Sequence, residues 1–413
     1  MKDALFGAPW LKAVARVFDA ADIPLYLVGG AVRNPLMGLP LSDIDVCGPA
    51  LPDAVCAACE GTPVRARVRT AQLGTVELYI TDENGQDQMA EYTAWRTDVY
   101  TGGHKPDYVV FTQDIGVDAK RRDFSVNALY QRVHADRLEP VTDPTGGLAH
   151  LEKGVLHTVT EDPDEVLRND GLRLLRAARF QAEMDLVPTP AMRESLAKYA
   201  HLAEEIAPER LKEEVQKILM ADGRYPMLKR RFPATKSGLE TLREAGLFAR
   251  LFPGLAYDEG AIVALEKLAG AGLPTRMAAL ARHADETVLS GVMQHLRFTA
   301  REVEEALRIH RALHETDVLM QAKLGLDALK AAERILKALG KENDLANRVL
   351  HLQNKPLSLK ELAVTGSDLK PLFEQQGRPL KEMSAMLHSL WRDVLEGKAE
   401  NKKEDLLSRM QGL

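Results

Sequence analysis

Apolar positions along this chain change rhythm near residue 146. Before it, short apolar runs alternate with turn residues. Residues 25–28 form an apolar run stopped by Gly29-Gly30, which predicts a strand and a tight turn. Residues 44–47 predict a second strand. Residues 75–81 are β-rich, and Asn84-Gly85 is a hairpin signal before a strand near 91–96. Val109-Val110-Phe111 starts a further strand-like segment, and residues 11–20 predict a short amphipathic helix. Asp143-Pro144-Thr145-Gly146-Gly147 breaks the pattern. Beyond it Ala, Leu, Glu, Lys and Arg dominate at helical spacing, with breaks near 187–190, 223–226, 252–254, 270–274 and 355–357. The fold class predicted is α+β: a head with a small mixed β-sheet and helices over 1–145, then an all-helical arm.

The 413 residues exceed one ordinary core and suggest two to four domains. No apolar run approaches the ~18 residues of a membrane span. The N-terminus lacks a basic stretch followed by an apolar one, so no signal peptide and no membrane partner are expected, and the location is expected to be cytoplasmic. Cys56 and Cys59 form a lone CxxC with no second ligand pair, which suggests free thiols on an Ala-rich helix. The net charge of −6 counts mildly against a nucleic-acid binder. Basic residues nevertheless cluster at 65–69, 120–122, 168–179 and 229–231. Each cluster alone suits a solvated face; together they can track an RNA backbone.

Residues 25–48 carry the chemistry. Side chains alternate along a strand, so Asp43 and Asp45 are expected to leave one face together. Two close carboxylates repel unless a cation lies between them. Magnesium prefers such oxygen ligands, completed by substrate phosphates. Gly29 and Gly30 let backbone N–H groups approach a triphosphate, and Arg33 stands one helical turn further on. An isolated Asp-x-Asp or Gly-Gly is weak; the pair at this spacing across strand, helix and strand is much more specific.

The pattern Gly-Gly-x-Val-Arg followed by Asp-x-Asp resembles the nucleotidyltransferase superfamily. RRDFSVNALY (121–130) closely resembles the second signature of its class II tRNA nucleotidyltransferase and bacterial poly(A) polymerase branch. Similarity continues through 143–148, 170–180 and 205–219, and returns weakly in VTGSDL and GKAENKKEDLL. The resemblance implies a nucleotidyltransferase head (1–145), a base-selecting neck (146–222), a body (223–340) and a tRNA-binding tail (341–413), the last three all helical. It implies that Asp43 and Asp45 hold two Mg2+ ions. Arg121 and Arg122 would serve the triphosphate of ATP or CTP. Asp123 and Asn127 would contact the ribose or order the pocket. Arg176 and Arg179 would support it. Arg96, Asp98 and His104 would belong to a flexible loop, and Lys229, Arg230 and Arg231 would contact tRNA.

Residues 162–184 predict one helix, capped by Asp162 with Pro163 in its first turn. Asp170 falls on its apolar stripe with Arg173 one turn on, and the plain expectation is an ion pair between them. The family resemblance implies instead that the two read the base. Cytosine and adenine each present an amine donor beside a ring-nitrogen acceptor, which suits an acceptor carboxylate beside a donor guanidinium. Uracil and guanine present the reverse and would leave polar groups unpaired, at ~1–3 kcal/mol each. Two departures from the family pattern are Asn34, where Asp is usual, and Asn169, where Glu is usual. The resemblance thus implies addition of C, C and A to the 3′ end of tRNA. Alternatives are a poly(A) polymerase, a CC-adding or A-adding enzyme, and a catalytically silent RNA-binding protein on the same fold. Residues 281–288 lack the His-Asp pair of a phosphohydrolase and suggest an ordinary helix.

Overall fold

The computed structural model describes residues 9–41, 44–81, 85–100 and 107–411. The chain divides after Leu251 into two compact units. The first is built on a seven-stranded sheet in the order β3-β4-β5-β2-β1-β8-β9. Its strands are β1 (Leu25–Val28), β2 (Asp45–Gly48), β3 (Arg65–Thr70), β4 (Thr75–Thr81), β5 (Asp87–Ala94), β8 (Tyr130–Val133) and β9 (Leu138–Thr142). Strands β2 and β5 pair in parallel and the other neighbours are antiparallel, so the sheet is mixed. A separate hairpin joins β6 (Arg96–Val99) to β7 (Tyr108–Phe111).

Strand alternation gives the sheet two different faces. Leu27, Val46, Leu78 and Tyr92 point to a dry core closed by α1 (Pro9–Ala20) and α3 (Pro52–Cys59). Phe18 of α1 meets Tyr92 at 5.7 Å between rings. The opposite face buries a smaller cluster of Val28, Cys47, Trp95 and Tyr130, and beyond that cluster it opens onto a cleft. Between β1 and β2 lies α2 (Gly30–Leu36), and before the second signature lies α4 (Ile115–Lys120).

The single helix expected over 162–184 is two helices, α5 (Pro163–Leu167) and α6 (Leu172–Met184). The break has a local cause. The Asp170 carboxylate accepts the Leu172 N–H at 2.9 Å and so starts a new helix. A Cβ on Gly171 would lie 2.6 Å from the Leu202 carbonyl oxygen, so glycine here permits close packing. Against α6 pack α7 (Pro208–Leu219) and α8 (Ala234–Glu244). A Cβ on Gly238 would lie 2.7 Å from the Ala182 methyl group, so glycine lets α8 approach α6 closely.

The second unit is helical throughout the described residues. Its two family-like segments meet in space. Thr365 and Asp368 form a capping box at the start of α9 (Gly366–Gln375), and Lys403 pairs with Asp368 at 2.5 Å. The Asn401 side-chain Oδ1 accepts the Ala363 N–H at 2.8 Å. Residues 281–285, expected in a helix, are a turn in which Arg282 pairs with Asp258 at 2.6 Å. No helix among the described residues is long and apolar enough to cross a membrane.

Candidate active site

The sheet wall of the cleft begins at the diglycine. Gly29 has φ +64°, a conformation that side chains with a Cβ rarely adopt, and it delivers Gly30 as the first residue of α2. Asp45 opens β2 and is exposed on the cleft wall. Asp43, expected beside it, lies outside the described residues, as does His104. Cys47, two residues on, is wholly buried; Trp95 donates to its sulfur at 3.3 Å, and burial pushes its thiol up to about 12. Neighbouring Asp45 across the parallel pairing is Glu91, and beyond it on β4 is Glu77. Arg69 meets Glu91 at 2.5 Å and Glu77 at 3.8 Å. The Glu91 position went unnoticed in the sequence because a parallel pairing across 46 residues leaves no local trace.

The second signature is tied down by an acid that the motif does not contain. Asp118, fully buried in α4, accepts from Arg121 Nε at 2.7 Å and from Arg122 Nη2 at 3.0 Å. The Tyr130 hydroxyl donates to it at 2.7 Å while accepting from Arg122 Nε at 2.9 Å. Burial opposes the Asp118 charge, but Arg122, Arg121 and the Tyr130 hydroxyl outweigh it and hold the carboxyl low. The signal was present in the sequence: 118 to 121 and 122 is the i,i+3 and i,i+4 spacing of paired charges.

A second network runs from α2 to α6. Arg33 donates to the side-chain oxygens of Asn34 and Asn127. Asn127 donates to Asp123 at 3.2 Å, and Asp123 receives Arg176 Nε at 2.7 Å. Burial works against ionisation of Asp123; Arg176, the Phe124 N–H and Arg173 overcome it, leaving the carboxyl well below its usual range. Arg33 has two neutral amides as direct partners, and burial lowers its pKa to about 10. Asn34 also donates to the Pro40 carbonyl at 2.9 Å and the Tyr225 hydroxyl at 3.1 Å. An amide can donate and accept at once, which a carboxylate cannot. The other departure, Asn169, donates to the Glu165 carbonyl at 2.8 Å on the surface.

Arg179 pairs with Glu214 at 2.5 Å and Glu183 at 2.9 Å, all three buried. The guanidiniums of Arg33, Arg176 and Arg179 lie 5.0, 5.9 and 4.9 Å from the Phe180 ring centre. Phe180, Tyr225, Glu183 and Glu214 were not singled out in the sequence; their helical spacing reads equally well as ordinary core. Arg173 does not pair with Asp170. Its guanidinium donates to the carbonyls of Val166 at 2.9 Å and Arg121 at 2.8 Å, which joins α6 to the second signature.

These residues surround one cleft of about 1070 Å³. Gly29, Gly30, Arg33, Asp45, Arg121, Arg122, Asp123, Asn127, Asp170, Arg173, Arg176 and Arg179 all line it. So do Arg96 and Asp98, but not as loop residues. Both stand on β6 and form an ion pair at 2.9 Å. The Val- and Tyr-rich partner β7 converts the flanks of the expected loop into a hairpin. Lys229 is exposed. Arg230 turns back onto the carbonyls of Ala182 and Glu183, and Arg231 onto Asp185 and Gly154, so these two side chains tie residues 229–231 to the end of α6. Among the described residues lining the cleft there is no His and no Cys; the anionic donors there are carboxylate oxygens, the ligand type magnesium prefers.

Known proteins are similar to this chain in sequence and fold. Residues 25–157 match the poly A polymerase head domain, 185–230 the "Probable RNA and SrmB- binding site of polymerase A", and 279–410 the tRNA nucleotidyltransferase domain 2. The CCA-adding enzyme of Geobacillus thermodenitrificans is 30% identical over 409 residues, covering 95% of this chain and 93% of that protein. The CCA-adding enzyme of Lactiplantibacillus plantarum is 29% identical over 411 residues, covering 96% and 94%. The crystal structure of the Bacillus stearothermophilus CCA-adding enzyme in complex with CTP superposes with a TM-score of 0.73 at 26% identity, covering 98% of this chain and 97% of that one. Fold, cleft and near-full-length similarity agree: the chain belongs to the CCA-adding enzyme family and is a nucleotidyltransferase.

Proposed function

We propose that this enzyme adds C, C and A to the 3′ end of tRNA from CTP and ATP, without a nucleic-acid template. The observation that carries the reading is that Asp45, the diglycine turn, the second signature, Asp170 and Arg173 all line one cleft. Relatives named CCA-adding enzymes, one solved with CTP, support it.

Asp43 and Asp45 would hold two divalent cations, with Glu91 supplying a further oxygen from the neighbouring strand. Such ions lower the pKa of an attacking hydroxyl and neutralise a leaving pyrophosphate. The chain's own residues orient the substrates. The Gly29-Gly30 backbone, Arg33, Arg121 and Arg122 face the triphosphate. Arg33 suits an anion because its direct partners are neutral. Arg121 and Arg122 are held in place by Asp118, so they present charge with little reorganisation. Asp123 and Asn127, fixed by Arg176 and Arg33, meet the ribose. The Asp170 carboxylate spends one oxygen on its helix cap and keeps the other for a base amine, and Arg173 keeps N–H donors beyond the two given to carbonyls. The neck over 146–222 thereby selects the base, and the tail over 341–413 holds the tRNA.

The test offers tRNA ending at the discriminator base, at C or at CC with each nucleoside triphosphate in turn. Addition of two C and one A, then arrest, is the expected result. Long A tails on any RNA would replace it with poly(A) polymerisation, and arrest after CC with a CC-adding enzyme.

A further inference from the structure

The arginines at 65, 67 and 69 have no role in the cleft, yet the sheet carries them to it. Pairing aligns Arg67 with Glu77 on β4, Glu77 with Glu91 on β5, and Glu91 with Asp45 on β2. One row therefore crosses four strands, each step ~4.8 Å, from an edge arginine to the catalytic acid. A second row sets Thr70 beside Thr75 and Thr75 beside Thr93. Between this face and the second signature runs a groove of about 350 Å³, lined by Asp45, Leu73, Thr75, Glu91, Thr93 and Arg96. It shares Asp45, Leu73, Arg96, Arg121 and Arg122 with the main cleft, which it adjoins, but lacks the diglycine, Asp170 and Arg173.

Resting on the functional reading above, we propose that this groove seats the terminal nucleotide of the single-stranded RNA acceptor, and that the edge of β3 carries the phosphates preceding it. A transfer reaction needs two substrates to meet at the catalytic acid from different sides, and the base-reading pair occupies only the cleft. The groove's Thr75 and Thr93 hydroxyls suit a ribose diol, beside the acids that would hold the cations. The edge strand supplies the cations that an RNA backbone needs and that the acids around Asp45 do not. Arg67 is exposed and has no ion pair among the described residues. Arg65 and Arg69 are 60% and 58% exposed, in surface pairs that phosphates can replace at small cost. Tyr79, aligned with Arg65 across the pairing, offers a ring beside these cations, the combination that binds single strands without reading their sequence.

The test compares wild type with Arg67→Glu, Arg67→Ala and Arg67→Lys, using an acceptor-stem minihelix ending in CC. The expected result is a KM for RNA raised about tenfold by Arg67→Glu, a smaller rise for Arg67→Ala, and recovery by Arg67→Lys. The salt dependence of RNA binding should become shallower by somewhat less than one unit of slope for Arg67→Ala, the ~0.7 of one single-strand phosphate contact. The KM for ATP should stay unchanged while that for RNA rises; a general folding defect would instead lower the apparent kcat and leave both KM values alone. Variants that transfer AMP from ATP with unaltered RNA KM and salt slope would overturn the proposal while leaving the functional reading intact. A wild type that incorporates nothing into any RNA would overturn both.

Discussion

The two walls of the cleft handle charge in opposite ways. On the helical wall, cations are locked to buried acids: the Arg179 and Glu214 side chains are 11% and 4% exposed. On the sheet wall, Arg69 and Glu91 are 58% and 34% exposed, and Asp45 itself is open. A buried pair is costly to break, because the abandoned charge stays out of water. An exposed pair is cheap to exchange for ions or phosphates. The helical wall therefore reads as a pre-built frame, and the sheet wall as the place where partners of the acids change during the reaction.

Substitutions on the two walls should separate activity from stability. The largest effect expected is from Asp45→Asn, with nucleotide incorporation falling on the order of a thousandfold and the thermal midpoint almost unmoved; a retained rate would end the assignment of Asp45 as the catalytic acid. Glu214→Ala on the other wall should do the reverse and destabilise the fold, by less than the ~3–5 kcal/mol of a fully abandoned buried charge because Glu183 still holds Arg179, read by chemical denaturation followed by tryptophan fluorescence. A neutral outcome there would mean that the frame is not held by its buried pairs.

Asp170→Ala should erode discrimination of CTP and ATP against UTP and GTP by roughly 10- to 100-fold, measured as the ratio of kcat/KM values. Loss of rate without loss of selectivity would give Asp170 a purely capping role.

Asp118 ties the second signature to the pH scale. Its folded pKa lies below the ordinary carboxylate value of ~3.9, since its arginines outweigh burial. The folded state then binds fewer protons than the unfolded one as the pH falls through that range. The stabilisation is complete above about pH 4 and disappears as the pH drops through the lower folded value. Thermal midpoints of Asp118→Asn should therefore lie below wild type at neutral pH, the gap narrowing as acid is added; a gap independent of pH would show that the ion pairs contribute nothing. The smallest effect is expected for the exposed Arg65–Asp87 pair, where Arg65→Ala should cost under ~1 kcal/mol.

Local steric rules made much of this protein legible from its chain. Strand period placed β1, β2 and β4, the Gly-Gly punctuation marked the turn at positive φ, and helical spacing set the character of most of the chain after residue 146, where the expected all-helical neck also holds a short parallel pair, Val155–Leu156 with Val187–Pro188. The motif residues expected in the nucleotide site do line one cleft, Asp43 lying outside the described residues. The strand, turn and helix assignments depend on neighbours within about a turn or a strand, so the sequence alone determines them. Tertiary structure decided the rest. The helix break at Asp170 follows from a cap and from packing against Leu202. The inward turn of Arg230 and Arg231 depends on the end of α6, some 46 to 48 residues away. By sequence the β3 arginines suit a solvated cluster; the pairing with β4 aligns Arg67 with Glu77 and Arg65 with Tyr79. The placement of Glu91 beside Asp45 rests on a parallel pairing, and such a pairing is chosen by the burial of a whole sheet face rather than by any local pattern.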